Sequence, residues 1–227
     1  MAAHIDPLHA SAKHQLLHHF VARAEWSDRA VLQRVHEWVM PALDAHAAEE
    51  TGYYWIIDET GFRKKRRHSV GVARQYCGQL GKQDNCQVAV RLSIATQRGS
   101  LRVAWQLYVP REWTDDRQRA RRAGIPDDLA FENKPQIALA QLREAMAAGV
   151  APGIVLADAG YGDETAFRDG VTELGLLYAV GIRPGTSVWA HGTAPLPPRS
   201  WSGRGKPPTL LRRASGHEPL AVKELAM

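Results

Sequence analysis

The chain has 227 residues, 44% of them hydrophobic and 23% charged, ordinary values for a soluble globular protein of one or two domains. No apolar run is long enough to cross a bilayer, and the opening MAAHIDPLHASAKHQ lacks the charged-then-apolar layout of a secretion signal. Two cysteines, Cys77 and Cys86, are too few for a disulfide-stapled secreted fold, so a cytoplasmic location is expected. The net charge of +5 is uneven: residues 1–50 carry −3 and the remainder +8. A basic segment of this kind favours polyanion partners, because each neutralised phosphate releases condensed counterions.

The first fifty residues read as helical. LHASAKHQLLHHFVARA and SDRAVLQRVHEWVMPAL both carry apolar residues at helical spacing, with Ser27 and Asp28 as a start and Pro41 near the end of the second pattern. His14 and His18 are spaced to share one helix face, but no third ligand follows at a fixed interval.

From Tyr53 the pattern turns to strands. YWIID is a short continuous apolar run of the kind found in a strand buried on both faces, ending at Asp58 before a glycine-containing turn. CQVAVRLSIAT and SLRVAWQLYVP alternate, and Gly99 lies between them, which predicts an antiparallel hairpin with Trp105 and Leu107 in the core. REWTDDRQRARRAGIPDD reads as a solvated excursion with a short helix, its arginines offset by Glu112, Asp115 and Asp116. ENKPQIALAQLREAMAAG is a helix with Asn133 as cap, Pro135 in the first turn and Gly149 as stop. GIVLADAGYGDETAFRDGVTELG gives a second apolar strand ending in Asp158, a glycine-flanked turn and an amphipathic helix, and LLYAVGI gives one more strand. A meander followed by alternating helix and strand predicts an α/β fold, a mixed sheet with helices on its faces. After Arg183 the chain is dense in Pro, Gly and Ser and reads as an irregular insertion.

Asp58 and Asp158 thus share one pattern: an apolar strand, an Asp at its end, then a turn. If the two strands are neighbours, the carboxylates converge, and hard divalent cations such as Mg²⁺ or Mn²⁺ suit such all-oxygen ligands. Taken alone, each Asp reads first as a turn former or helix cap; it is the pair, with the basic run beside one member, that points to a site. Lys64, Lys65, Arg66, Arg67 and Arg74 follow Asp58 and are candidates for phosphate contacts, with a solvated basic loop as the plainer reading. Glu59, next to Asp58, points to the opposite strand face and is not counted as a ligand. Tyr161 and Asp163 are candidates to shape the second-acid turn, Asp163 equally as a cap.

The blocks IIDETGFRKKRRHSVGVARQYCGQLGKQDNCQVAV, LYVPREWTDD, AGIPDD, KPQIALAQL and VLADAGYGD, in that order, resemble bacterial insertion-sequence transposases of the DDE-superfamily endonuclease type, with an RNase H-like fold. The resemblance implies that Asp58 and Asp158 are the first two of three catalytic acids and hold Mg²⁺ or Mn²⁺. It implies cleavage and transfer of DNA at transposon ends, with DNA ends and target as partners and a homo-oligomer as a further candidate. It also implies a division into a helical segment (1–50), a catalytic core (51–183) and the start of an inserted region (184–227). Arg66 stands where relatives commonly carry Gly. The family's third acid, a Glu beyond the insertion, has no match here, which suggests a C-terminally truncated transposase with impaired cleavage. The alternatives are a catalytically inactive DNA-binding protein that interferes with full-length transposase, and an RNase H-like nuclease unrelated to mobile DNA.

Overall fold

The computed structural model describes residues 4, 6–50 and 52–225, so the expected start of the core at residue 51 falls outside the described residues. The chain divides into two compact units, residues 1–45 and 46–227. In the first, helix α1 (Ala10–Arg23) buries no side chain. Phe20 stacks on Trp26 just past its end, with ring centroids 6.0 Å apart. Helix α2 (Asp28–Glu49) starts where Ser27 Oγ accepts the Ala30 amide. It runs through Pro41 rather than ending near it. His14 and His18 are both exposed on α1.

The second unit is built on a six-stranded mixed sheet. Its strands are β1 (Tyr53–Arg63), β2 (Ala73–Cys77), β3 (Lys82–Ala95), β4 (Ser100–Tyr108), β5 (Gly153–Ala157) and β6 (Tyr178–Val180). Along the main path the order is β2-β3-β1-β5-β6, and β4 also pairs with β3. Cys86 is registered with Arg63 on one side and Ala73 on the other, so β2 and β4 lie end to end along the outer edge of β3. β1 is antiparallel to β3 and parallel to β5, and β5 is parallel to β6. This meander followed by parallel additions is consistent with an RNase H-like DDE fold.

Helices flank the sheet. The hairpin forms as its alternation predicts, closed where the Thr96 amide donates to Gly99 O at 2.9 Å. Val88, Val90, Leu92 and Ile94 of β3 are fully buried with Trp55 and Ile57 of β1. Helix α5 (Lys134–Ala147) packs on β3 and β4 and donates from Gln141 Nε2 to Val90 O at 3.0 Å. A full capping box starts α5: Asn133 accepts the Gln136 amide, and the Gln136 side chain accepts the Asn133 amide. Helix α7 (Thr165–Glu173) packs on α5, with Gly170 against Leu139. Short helices α3 (Arg111–Asp115) and α4 (Arg117–Arg122) enclose Trp113, Ala120 and Ile125, so the expected solvated excursion contains a small core. Residues beyond Arg183 form a two-stranded ribbon, β7 (Ser187–Val188) with β8 (Leu220–Ala221), followed by α8 (Val222–Leu225).

Four expectations about the strands need correction. β1 does not end at Asp58 but continues to Arg63. Gly61 is strand rather than turn, and its glycine leaves room for Cys77, whose Sγ a Cβ there would meet at 2.9 Å. β1 is also not buried on both faces: Trp55 and Ile57 are covered while Tyr54, Ile56 and Asp58 are only half-buried. Trp105 is 38% exposed on the less covered face, packed against Phe62 with ring centroids 5.8 Å apart, so it is not core.

Candidate active site

Strand parity separates Asp58 from Glu59. The side chains of Trp55, Ile57 and Glu59 face the helices, and those of Ile56, Asp58 and Phe62 face the opposite, more open side. The last registered pair between β1 and β5 is Ile56 with Leu156. Two residues further on each parallel strand stand Asp58 and Asp158, with Asp158 still extended at φ −80° and ψ −177°. The two acids therefore sit at matching levels of neighbouring strands, where their sequence contexts predict convergence.

Each carboxylate is held. Asp158 caps the short helix α6 (Ala159–Gly162), its Oδ1 accepting the Gly160 amide at 2.8 Å. Asp58 Oδ1 accepts the Glu59 amide at 2.7 Å. Asp58 Oδ2 accepts from Arg91 Nη2, and Arg91 is its direct cross-strand partner on β3. The Asp58 side chain keeps 48% exposure. Sequence reading passed over Arg91. Its signal was parity: Arg91 is a cation in the phase of β3 opposite to the four buried aliphatics.

Behind this pair, on the helix-covered face, lies a second charged group that was also missed. Glu59 Oε2 takes a 2.6 Å ion pair from Lys134 Nζ at the start of α5. The Tyr161 hydroxyl donates to Glu59 Oε1 at 3.4 Å. Burial pushes the Tyr161 phenol well above its ordinary range, and the charges of Glu59, Asp158 and Asp58 push it further. All three acids thus act on one phenol. Glu59 joins β1, α5 and the Asp158 turn, and it does so from the face on which parity had placed it.

The basic residues lie elsewhere on the sheet. Lys64 to Arg67 form a loop at the far end of β1, whose shape is set by Asn85: its Nδ2 donates to Lys64 O at 2.7 Å and Arg66 O at 3.1 Å. Arg74 is the cross-strand partner of Asn85. Arg119, at 3.6 Å over the Trp113 ring, donates to Arg67 O at 3.1 Å and braces the loop from the other side. Five residue steps of strand lead from Asp58 to Arg63, about 17 Å at 3.3–3.4 Å per residue. The basic run therefore does not adjoin the acid, although the sequence sets them close together. Asp163 does not N-cap the helix Thr165–Glu173, whose N-cap is Glu164: it accepts from the Arg183 amide at 2.9 Å and pairs with Arg183 Nε at 2.8 Å, tying the turn to the exit of β6.

The donor set fits a hard divalent cation: two carboxylates at one level of adjacent strands, with a guanidinium already drawn to one of them. Among the described residues, no cluster of three His, Cys, Asp or Glu side chains encloses such an ion. No helix among them is long and apolar enough to cross a membrane.

A family model described as DDE superfamily endonuclease matches residues 1–227. The chain is 32% identical over 170 residues to the probable transposase for insertion sequence element IS701 of Microchaete diplosiphon. That match covers 74% of this chain and 40% of the relative. No solved structure matches.

Proposed function

Because this chain belongs to the DDE superfamily endonucleases, we propose that it serves insertion-sequence transposition by cutting and joining DNA at the element's ends. Endonucleases of this superfamily are generally dependent on divalent metal. In the proposed site Asp58 and Asp158 hold the cation, Mg²⁺ or Mn²⁺, which when bound supplies Lewis-acid activation at a phosphodiester. Lys64, Lys65, Arg66, Arg67 and Arg74 take phosphates away from the cut. Their loop is about 17 Å from Asp58 along the strand, some five base-pair steps of duplex. The reading rests above all on the matched register of Asp58 and Asp158. The proposed partners are the element's ends and the target DNA, met in the cytoplasm, with self-association as a further part of the proposal.

Metal-dependent nicking of DNA carrying the element's ends tests this. No third acid joins Asp58 and Asp158 among the described residues, so the wild-type chain should nick only weakly in Mn²⁺. Asp58→Asn or Asp158→Asn should each lower that residual rate at least about a hundredfold. Equal nicking by wild type and both variants would refute it. The contact of Arg91 with Asp58 favours a second reading, a DNA-binding chain without cleavage. That reading predicts equal DNA affinity for wild type and Asp58→Asn and no nicking by either.

A further inference from the structure

The geometry points to Arg91 as a built-in rival of the metal: its guanidinium occupies the first acid, and a divalent cation binds Asp58 only by displacing it. The inference rests on the proposed metal role of Asp58.

Four observations carry it. Arg91 and Asp58 are directly opposed on antiparallel strands, so the contact is imposed by backbone register rather than by a chance rotamer. The ion pair engages Oδ2, while Oδ1 is already committed to the Glu59 amide, so neither oxygen of Asp58 is unengaged. The Arg91 side chain is only 23% exposed. Its Nε is buried without a hydrogen-bond partner, and among the described residues Asp58 is the acid with which its guanidinium pairs. Across β4, Arg91 is registered with Trp105, whose ring is in turn faced by Arg102 at 5.9 Å. The surroundings of Arg91 thus offer an aromatic ring and another cation, but no second carboxylate among its cross-strand neighbours.

A largely covered guanidinium that loses the acid it pairs with among the described residues carries a poorly compensated charge. Metal entry at Asp58 must meet that cost, so the resting pair holds metal affinity down. Removing the cation should raise affinity about tenfold, the equivalent of one charge-assisted hydrogen bond.

Mn²⁺ binding, followed by paramagnetic resonance of the free ion and by calorimetry, tests this on the full chain without DNA. Arg91→Gln should bind Mn²⁺ about tenfold tighter than wild type, and Arg91→Lys, which retains the charge, should not. The gain should vanish in Arg91→Gln combined with Asp58→Asn. If Arg91→Gln fails to fold, Arg91→Met, which keeps the stem over the sheet, takes its place. Unchanged affinity in Arg91→Gln, with binding still lost in Asp58→Asn, would overturn the role of Arg91 and leave Asp58 as a ligand. Binding indifferent to Asp58→Asn in both backgrounds would instead overturn the metal role of Asp58.

Discussion

Asp58 and Glu59 are chain neighbours with opposite surroundings. Alternation along β1 sends Asp58 to the more open face beside Arg91 and Glu59 to the covered face beside Lys134 and Tyr161. The two acids therefore do different work, one available to a ligand and one bracing the site. Tyr161 reports on that brace. Its raised phenol stays neutral in the folded chain, whereas an unfolded Tyr ionises near pH 10. The stabilisation from neutral Tyr161 is complete below about pH 10 and falls as pH climbs above it. Alkaline denaturation followed by circular dichroism should show this decline, and Tyr161→Phe should flatten it. At this scale the acids were legible because each ends an apolar run, and the face of Glu59 followed from parity alone. Arg91 and Lys134 were not, because their partners lie 33 and 75 residues away and only strand register and helix packing bring them together.

The elements explain why the acids are held where they are. Helix α5 was readable to its ends, because Asn133, Pro135 and Gly149 act locally: the capping box forms, and Gly149 takes φ 79°. Asn133→Ala should lower stability by about 1 kcal/mol, seen as a shifted urea midpoint without a changed slope. Gly61 misled for a physical reason. A glycine marks either a turn or a close approach, and only the packing of Cys77 against β1 distinguishes them. Gly162 shows the same close approach behind the second acid, where a Cβ would stand 1.9 Å from Gly181 O and 2.9 Å from the Val180 side chain. Gly162→Ala should therefore push the Asp158 turn off β6 and cost about 3 kcal/mol or more in thermal or urea unfolding. β2 escaped the sequence reading because ARQYC has no clear alternation and is stabilised by pairing with the extension of β3.

Across the whole molecule, charge is divided as the sequence states, with the excess of Lys and Arg beyond residue 50. If the basic loop holds phosphates, DNA affinity must fall steeply with salt. Replacing Lys64, Lys65, Arg66 and Arg67 together by Ala should reduce the slope of log affinity against log salt by about 3 to 4. Fluorescence anisotropy over a salt series measures that slope. Five of the six strands of the main sheet, and the common pattern that puts Asp58 and Asp158 at one level, were visible in the residues. Their distance from the basic loop was not, since it depends on β1 running on past Asp58. The central claim is that Asp58 and Asp158 act as one site, and a double-variant comparison of Mn²⁺-dependent nicking on a supercoiled plasmid bearing the element's ends tests it most directly. The account predicts that Asp58→Asn and Asp158→Asn each lower nicking at least about a hundredfold and that the double variant is no worse than either. Nicking that keeps its rate after either substitution, or losses that multiply in the double variant, would contradict it.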